Sequence, residues 1–524
     1  MGHNNIFIYF QIESRIMSER MNVLFIITDQ QRADHLGCAG NPDLKTPNLD
    51  KLASESVRFT NAFCANPMCM PNRATILTGL YPNMHGVRSN GINLPLNVPT
   101  INDTLKKNGY HTISIGKIHL QCQARQFVKS STTSAEAVSL WLNDKYRPKM
   151  KENLTKPYYG FDEVDMVVGH GDLCTGHYFD WLEEKGPQYI DPIKEKFKSF
   201  YNLTYYETIL PEELYPTTYM TEKTISFLER YSQGNYGNKP FFLHCSIPDP
   251  HHPVCPPGKY KDMYKPIEIE LPSSFDDAKN LENHEFLGQF IKNPVFRAAL
   301  LRVSTEQEVR DFTALTYGSV AMIDDGVGQI LASLEKLGLA ENTMVIYTSD
   351  HGDLMGDHGM ILKGPCPFKG ILNVPLLWKV PGLTKQGVSE SLASSIDIPK
   401  TILSLLGIRK KSYPPDMQGI DLTSVLKNPS TKVRDSCLIE EDEELPISRK
   451  GIKVRLRHLV TDEYKLTLYE NLRGYGDLYS RKNDPDEMNN LWHSHKELRY
   501  ELVERLFHEN LKAQSRYPKR ISAS

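Results

Sequence analysis

The sequence predicts an α/β protein with a large, mostly parallel central sheet flanked by helices, and a smaller C-terminal α+β domain containing an antiparallel sheet. Three observations support this fold class. Short apolar runs recur along the chain, helical patterns lie between them, and the pattern becomes alternating after about Leu426. The 524 residues suffice for a large core and two domains.

The apolar runs predict the core strands. A nearly continuous apolar run is typical of a strand that is covered on both faces, as in a parallel sheet. Runs of this kind occupy residues 22–28, 111–116, 240–247, 342–349 and 374–380. Because helical patterns separate these runs, we expect a sheet built by helical crossovers.

Two helices have clear boundaries in the sequence. The first spans residues 305–337, where Thr305 and Glu308 form a capping box ahead of an apolar stripe near the helical period. The second begins at Cys69, because Pro71 suits a first helical turn, and it ends at Gly79.

The C-terminal region has a different pattern. Residues 451–470 alternate between apolar and polar around a turn at Thr461–Asp462, which is typical of antiparallel strands covered on one face. A terminal helix is predicted over residues 496–512. We therefore expect a poorly structured extension over 1–20, a catalytic domain over 21–426 and an α+β domain over 427–524.

Composition excludes several classes of protein. A net charge of −3 gives no broad attraction to nucleic acid or to an anionic membrane, so neither is an expected partner. No window holds the ~18 apolar residues that a membrane-spanning helix needs. The N-terminus has no signal-peptide pattern, which favours a cytoplasmic protein. Nine cysteines without a CxxC pair argue against a disulfide framework and a zinc ribbon.

Charged and polar side chains follow four of the predicted strands. In open α/β sheets, ligands bind beyond the carboxyl ends of the strands, and parallel strands bring those ends to one edge. We therefore expect one site built from strand-end residues, although each residue alone could be an ordinary solvated loop residue. These residues are Asp29, Gln30, Lys117, His119, His251, Asp350 and His351, with Lys363 farther along the last loop.

These residue types are consistent with a metal site that acts on an anion. Two carboxylates facing each other in a cleft would repel, and a divalent cation removes that cost. Asp29, Gln30 and Asp350 suit Ca²⁺ or Mg²⁺, whereas His351 as a ligand shifts the preference towards Mn²⁺. The lysines would face the anionic group of a substrate, and the histidines could move protons.

Cys69 allows two interpretations. At a helix N-terminus, free N–H groups and the helix dipole favour an anion, so a thiolate there would be an activated nucleophile. The alternative is a buried, inert cysteine, which is common for an isolated Cys. The residue pattern alone does not decide between them.

The segment 123–235 is a long, irregular excursion between two core strands, and we expect it to shape a substrate pocket. Its candidate contacts could equally serve only to stabilise a long loop. They are His170, Asp172, His177 and Tyr178.

The segment "CMPNR" resembles C-x-P-x-R, the motif of type I sulfatases in the alkaline-phosphatase superfamily. Other segments match that family in the same order, across roughly residues 22–495. They are "TDQQRADHLGCAG", "TPNLDKLASESVRFTNAF", "ILTGLYPNMHGV", "GKIH", "DPHHP", "SDHGDLMGDHGMILKG" and "DLYSRKNDPDEMNNLW".

The resemblance implies an alkaline-phosphatase-like fold and a role for each matching residue. Cys69 would be oxidised to formylglycine by a formylglycine-generating enzyme, and its hydrated gem-diol would be the nucleophile. Arg73 would orient the diol, and Lys117 and Lys363 would bind the sulfate. One divalent metal, most often Ca²⁺ with Mn²⁺ or Mg²⁺ as alternatives, would be held by Asp29, Gln30, Asp350 and His351 together with the modified Cys69.

The same resemblance assigns the proton transfers. His251, together with Lys363, would protonate the leaving oxygen. His119 would take a proton from the remaining hydroxyl, so that the hemiacetal collapses and expels sulfate. A sulfated serine or cysteine would instead need a second attack by water.

Some residues depart from the common pattern. Asn72 stands where Ser or Ala is commoner. Gln30 and His351 resemble the metal residues of choline-sulfatases and phosphonate monoester hydrolases, whereas Lys117 and His119 resemble the sulfatase version.

The resemblance therefore implies an arylsulfatase-like sulfuric ester hydrolase acting on a small-molecule or saccharide sulfate ester. The alternatives are a phosphonate monoester hydrolase or phosphodiesterase on the same scaffold, and a protein that binds sulfated ligands without turnover. The sequence is also compatible with a homo-oligomer.

Overall fold

The computed structural model describes residues 20–123, 134–154, 157–199, 204–293, 302–445 and 452–514. The extension expected over residues 1–20 lies, except for its last residue, outside the described residues. The strands are β1 (Asn22–Thr28), β2 (Val57–Phe59), β3 (Ala62–Phe63), β4 (His111–Gly116), β5 (Glu163–His170), β6 (Leu173–Gly176), β7 (Phe241–Ser246), β8 (Arg302–Val303), β9 (Thr343–Ser349), β10 (Met360–Ile361), β11 (Leu376–Lys379), β12 (Gly387–Ser389), β13 (Ala393–Ser394), β14 (Ser436–Leu445), β15 (Ile452–Thr461), β16 (Tyr464–Tyr469) and β17 (Gly476–Ser480).

The α-helices of the described ranges connect and cover these strands. They are α1 (Pro47–Ser54), α2 (Cys69–Thr78), α3 (Pro82–His85), α4 (Ile101–Lys107), α5 (Val138–Trp141), α6 (Arg147–Asn153), α7 (His177–Lys185), α8 (Ile190–Ser199), α9 (Pro216–Ser232), α10 (Ala278–Leu281), α11 (Leu287–Ile291), α12 (Glu306–Lys336), α13 (Lys369–Leu372), α14 (Ile398–Leu405), α15 (Thr423–Lys427) and α16 (Lys496–Ala513).

The central sheet brings four predicted core strands side by side. Its strand order is β12-β2-β11-β9-β1-β7-β4-β5-β6. The strands β9, β1, β7 and β4 are mutually parallel, so their carboxyl ends lie at one edge. Near these carboxyl ends, Ile27 of β1 pairs with Ser246 of β7 and with Thr348 of β9, so the three strands end at the same level. The predicted convergence of strand ends is confirmed.

Both faces of this sheet are covered, as the continuous apolar runs predict. In β1, Val23, Phe25 and Ile27 belong to one buried hydrophobic cluster. Leu24 and Ile26 belong to a second cluster on the other face. Alternate side chains of one strand thus enter two cores, which requires apolar residues at every position.

The long helix α12 confirms the predicted capping box. The Thr305 side chain accepts a hydrogen bond from the Glu308 N–H, and the Glu308 carboxylate accepts one from the Thr305 N–H. The side chains of Ile323 and Val327 are fully buried in the cluster that covers one face of the sheet. Among the described helices, none is both long and apolar enough to cross a membrane.

The strand at 374–380 differs from its prediction. It forms as β11, but it runs antiparallel to both β9 and β2. A parallel neighbour of β9 would need a long crossover connection. The chain between β9 and β11 instead contains only a 3-10 turn, the two-residue strand β10 and the short helix α13, so it returns antiparallel.

The segment 123–235 is more regular than predicted. Its described part contains two strands and several helices, and β5 pairs parallel with β4 and extends the central sheet. The strand β5 escaped recognition because its first residues, Glu163 to Asp165, are only partly buried and include two acids. A strand near the end of a sheet does not need a continuous apolar run.

The C-terminal region forms a four-stranded antiparallel sheet in the order β14-β15-β16-β17. The predicted hairpin within 451–470 is confirmed, because β15 pairs antiparallel with β16. The predicted terminal helix is α16, whose Leu502 and Leu506 pack with Leu459 and Leu466 of the sheet. The strand β14 contacts the main sheet's loops through the Glu440 N–H, which donates to the Ala65 carbonyl.

Candidate active site

The predicted strand-end residues lie together at one edge of the central sheet. Asp29 follows β1, Lys117 follows β4 and Asp350 follows β9. The side chains of these three residues are fully buried. A buried charge is tolerated only when an opposite charge or a hydrogen bond compensates for it. The contacts of each residue identify its compensating group.

Cys69 is the first residue of α2, as the sequence predicts, and the helix ends at Gly79 in the left-handed conformation with a φ of 70°. Its Sγ atom lies 3.1 Å from Nε2 of His351 and 3.8 Å from a carboxylate oxygen of Asp29. Burial, with the nearby Asp29 charge, raises the pKa of the Cys69 thiol. The buried thiol is therefore protonated and is a poor nucleophile as it stands.

Four buried residues form a cluster that could hold a metal ion: Asp29, Cys69, Asp350 and His351. One ligand atom from each lies within 4.8 Å of the others. Burial lowers the pKa of His351 to about 4, although Asp350 opposes this shift, so the imidazole is neutral. Its Nδ1 donates to the Gly352 carbonyl at 2.9 Å, so the lone pair of Nε2, which lies 3.1 Å from Sγ of Cys69, is the ring's metal-binding position. The donor set fits a divalent cation.

Gln30 lies beside this cluster in a left-handed conformation, with a φ of 69°. Its backbone N–H donates to Asp350 at 3.1 Å. Its side-chain oxygen accepts from Nζ of Lys363 at 2.7 Å, and its amide nitrogen donates to Asp353. Gln30 thus joins the metal cluster to the lysine that was predicted to bind the substrate.

Lys117 carries the positive charge nearest to Asp29. Its ammonium donates to the Asp29 carboxylate and to Nε2 of His170, which lies 2.6 Å away. Burial raises the pKa of Asp29, but Lys117, His251 and Arg73 outweigh this effect, and the carboxyl pKa lies well below its usual value. An ammonium has three N–H donors, so one of them remains for a ligand.

Arg73 projects from α2 and links two carboxylates. Its Nε donates to Asp350 at 2.7 Å, and its terminal nitrogens lie 3.4 Å from Asp29 and 2.8 Å from Oγ of Ser246. One terminal nitrogen, Nη2, is buried without a hydrogen-bond partner. This arrangement holds the two carboxylates of the candidate metal cluster in place and leaves a donor directed at the same cluster.

The residues predicted to transfer protons are His251 and His119. The His251 ring stacks on the His170 ring with centroids 3.7 Å apart, and its Nδ1 lies 2.5 Å from the His252 carbonyl. Burial and the neighbouring His170 lower the pKa of His251 well below its usual value. His119 follows Lys117 with a φ of 56°, and its buried Nδ1 has no hydrogen-bond partner.

Of the candidate contacts in the segment 123–235, only His170 reaches the cluster. Asp172 is buried elsewhere, where Lys196, Tyr206 and Thr208 donate to its carboxylate. Nδ1 of His177 accepts a hydrogen bond from the Met166 N–H. Tyr178 is fully buried, and its hydroxyl donates to the Leu214 carbonyl. The last three residues thus stabilise the segment, which was the alternative interpretation.

Asn72 has a structural reason to stand within the CMPNR segment. Its amide nitrogen donates to the Asp350 carbonyl, and its amide oxygen accepts from the Ala65 N–H and from Oγ of Ser395. A serine could not span all three contacts. Asn72 therefore fixes the start of α2 against the loop that carries Asp350 and His351.

Sequence reasoning missed buried acids near the site, among them Glu136. Glu136 lies outside the matched motifs, yet its carboxylate accepts hydrogen bonds from the loop that follows β4. The residue has no spacing relationship to that loop that a motif could have revealed. The only signal was a single acid among apolar neighbours in "SAEAVSLW".

The chain matches two protein-family models. The model described as "Sulfatase" matches residues 21–408, and the model described as "N-sulphoglucosamine sulphohydrolase, C-terminal" matches residues 356–516. An arylsulfatase of Clostridium perfringens is 31% identical over 484 residues, which cover 90% of each chain. A choline-sulfatase of Rhizobium meliloti is 24% identical over 411 residues, covering 77% of this chain and 71% of that one.

Solved structures share the fold. A phosphonate monoester hydrolase of Agrobacterium radiobacter superposes with a TM-score of 0.75 at 22% identity, covering 94% of this chain and 96% of that one. A structure in complex with D-glucosamine-2-N,6-O-disulfate superposes with a TM-score of 0.70 at 20% identity, covering 96% and 100%. Together with the matched family model and the arylsulfatase relative, the alkaline-phosphatase-like architecture shows that the chain belongs to the sulfatase family and is a sulfatase enzyme.

Proposed function

We propose that this sulfatase hydrolyses an organic sulfate monoester with a formylglycine made from Cys69 as the nucleophile. The position of Cys69 supports this assignment, because its Sγ lies among Asp29, Asp350 and His351 at the functional edge. The protonated thiol itself would be a weak nucleophile. A formylglycine-generating enzyme is therefore the partner that the mechanism requires.

The lysines would bind the sulfate group. Lys117 and Lys363 both border the cluster, the first hydrogen-bonded to Asp29 and the second to Gln30. Their ammonium groups would hold sulfate oxygens and stabilise the charge that develops in the transition state. Arg73 would direct Nη2, which forms an ion pair with Asp29 but has no hydrogen-bond partner, at a hydroxyl of the hydrated nucleophile.

The first step would break the S–O bond of the ester. After one hydroxyl of the gem-diol has lost its proton to solvent, its oxygen attacks sulfur, the S–O bond to the alcohol breaks, and the alcohol leaves with its former ester oxygen. His251 would give that oxygen a proton through Nε2, because its Nδ1 is engaged by the His252 carbonyl. An anionic sulfate beside His251 raises its pKa relative to the empty site, which would load the ring with the required proton.

The second step would release sulfate without a further attack on sulfur. His119 would take a proton from the remaining hydroxyl, the carbon–oxygen double bond would re-form, and inorganic sulfate would leave. The unpaired Nδ1 of His119 is available to accept that proton. Water then adds to the aldehyde and restores the gem-diol.

A divalent cation would be held by Asp29, Asp350 and His351 together with the modified Cys69, and Gln30 would lie at its edge. We propose Ca²⁺, because the site is rich in oxygen donors; Mn²⁺ and Mg²⁺ are the alternatives. When bound, the cation supplies positive charge that lowers the pKa of the diol and offsets the two carboxylates.

The substrate class follows the relatives. They include an arylsulfatase and a choline-sulfatase, and one structural neighbour binds a disulfated glucosamine. We propose a sulfate monoester of a small alcohol or saccharide. Phosphonate and phosphate diester hydrolysis is the competing activity, since Gln30 and His351 are also the metal residues that resemble that branch.

A substrate panel tests this proposal. Purified protein whose Cys69 has been converted would be given an aryl sulfate, a phosphate diester and a phosphonate monoester with the same phenolic leaving group. The proposal expects the highest kcat/KM on the sulfate. A kcat/KM at least about 100-fold higher on the diester or phosphonate would overturn the sulfate assignment.

A further inference from the structure

Glu136 is a fully buried acid that holds the loop carrying Lys117 and His119. Its carboxylate oxygen Oε2 accepts from the His119 N–H at 2.6 Å. Its other oxygen, Oε1, accepts from the N–H groups of Leu120 and Gln121 at 2.9 and 3.1 Å. Three consecutive backbone donors therefore converge on one side chain.

These three hydrogen bonds stabilise a strained backbone conformation. His119 has a left-handed backbone with a φ of 56°, which costs free energy for a residue that has a Cβ atom. This conformation turns the backbone N–H groups of the loop towards a common point. A carboxylate at that point stabilises the turned loop, because charged acceptors form stronger hydrogen bonds than neutral ones.

The segment around Glu136 is itself anchored. The Glu136 N–H donates to Oγ of Ser134, which in turn donates to the Cys122 carbonyl at 2.7 Å. The Ala135 N–H donates to the side-chain oxygen of Gln121 at 2.8 Å. Tyr158 donates its hydroxyl to Oε1 of Glu136 at 3.0 Å. The carboxylate therefore has a fixed position from which to hold the loop.

We propose that Glu136 is a positioning residue for sulfate release, because its carboxylate fixes the backbone of His119 and so aims the imidazole at the hydroxyl it deprotonates. This inference rests on the proposed function, in which His119 acts only in the second step. Glu136 does not contact the reacting atoms. Its loss should therefore slow sulfate release more than the attack on sulfur.

The variant Glu136→Gln tests the proposal with almost no change in shape. An amide keeps its oxygen most favourably where three donors meet, at Oε1, so its NH₂ group would face the His119 N–H. The His119 hydrogen bond is then replaced by two donors in contact. We expect kcat to fall by about 10- to 100-fold, because small misplacements of a reacting group cost that much. KM should fall with it, since slowing only sulfate release leaves kcat/KM nearly unchanged.

The pre-steady-state time course separates positioning from general damage. If attack and alcohol release stay fast while sulfate release slows, Glu136→Gln should release a burst of about one alcohol per active site, followed by slow turnover. Hydrogen exchange provides a readout independent of activity. The backbone amides of His119, Leu120 and Gln121 should exchange faster in the variant than in the unsubstituted protein.

Tyr158→Phe is the matched control. It removes one donor from the same carboxylate but leaves the three backbone N–H donors in place. We expect its kcat to stay within about threefold of the unsubstituted protein and its loop amides to stay protected. If Glu136→Gln does not fold, Glu136→Asp takes its place, because the shorter side chain keeps its charge and loses reach to His119.

The outcomes are distinct. A burst together with faster loop exchange supports the proposal. A Glu136 variant that lacks the burst, leaves loop exchange unchanged, or loses no more activity than Tyr158→Phe overturns it. If fully converted protein hydrolyses no sulfate ester at all, the proposed function fails, whereas the exchange experiment still decides whether Glu136 holds the loop.

Discussion

Nε2 of His351 lies 3.1 Å from Sγ of Cys69, so the predicted metal site and the predicted nucleophile share one buried cluster. The nucleophile position and the candidate metal site are therefore one structural unit. A formylglycine made from Cys69 would therefore lie within the candidate metal cluster. Changes to the cysteine, the carboxylates and the metal should therefore have linked effects.

Replacing Cys69 should stop turnover while the protein stays folded. Cys69→Ala removes the nucleophile, and we expect kcat on an aryl sulfate to fall on the order of 10³-fold or more, with an unchanged circular dichroism spectrum. Cys38→Ala is the control, because Cys38 is a free, partly buried cysteine outside the cluster. Full activity in Cys69→Ala would make the nucleophile assignment wrong.

Cys69→Ser should behave differently from Cys69→Ala. A serine that attacked sulfur would keep the sulfate, since it lacks the second hydroxyl whose deprotonation expels sulfate. We therefore expect at most one alcohol released per active site, and a protein whose mass has increased by one sulfate group. Steady multiple turnover by Cys69→Ser would contradict the proposed release step.

Metal binding should stabilise the folded protein through Asp350. Added Ca²⁺ should raise the melting temperature, and a free concentration of about 100 times Kd corresponds to about 2.7 kcal/mol of added stability. Asp350→Asn should lose this response, because the cluster then lacks one of its two carboxylates. Asp172→Asn is the control, since Asp172 is buried outside the cluster and should keep the response. An unaltered Ca²⁺ response in Asp350→Asn would remove that residue from the metal site.

The His251→Ala variant should depend strongly on the leaving group. A phenol with a low pKa leaves without help, whereas an alkyl alcohol needs a proton from His251. We expect the loss of kcat/KM to be at least about 10-fold greater for an alkyl sulfate than for a nitrophenyl sulfate. Equal losses for the two esters would mean that His251 does not protonate the leaving oxygen.

His85 should make the stability of the fold fall on acidification. Burial of the ring lowers its pKa from 6.5 to about 3, although a hydrogen bond to the Pro71 backbone opposes this shift. The unfolded chain therefore binds a proton first as the pH falls. The contribution of His85 is complete above pH 6.5 and is lost towards pH 3.

The measurement compares His85→Asn with the unsubstituted protein by urea unfolding between pH 7.5 and 5. Below pH 6.5, the stability advantage of the unsubstituted protein should shrink by about 1.4 kcal/mol per pH unit. His508→Asn is the matched histidine control, because His508 is exposed on α16. A pH-independent difference for His85→Asn would contradict the buried neutral state.

The sequence predicted those parts of the site whose position follows from strand order. Asp29, Lys117 and Asp350 follow strands that parallel pairing brings side by side, so their convergence could be inferred without coordinates. Cys69 could be placed at a helix start from Pro71 and Gly79. Its protonated state could not, because that depends on burial and on the approach of Asp29.

Other features depend on contacts between distant segments. Asn72 appeared only as a departure from a motif, whereas its three hydrogen bonds tie α2 to Asp350 and Ser395. Glu136 acts through backbone groups of His119 and its neighbours, and backbone contacts leave no residue pattern. The direction of β11 likewise depends on the path of the preceding loop rather than on its own apolar residues.

The chemical state of Cys69 tests the central claim most directly. Protein from its native host would be digested, and the mass of the peptide carrying Cys69 would be measured on the same sample whose aryl sulfatase activity is determined. We predict that the sulfur has been replaced by the oxygen of an aldehyde, and that activity rises in proportion to the converted fraction. An active sample in which Cys69 is wholly an unmodified thiol would contradict it.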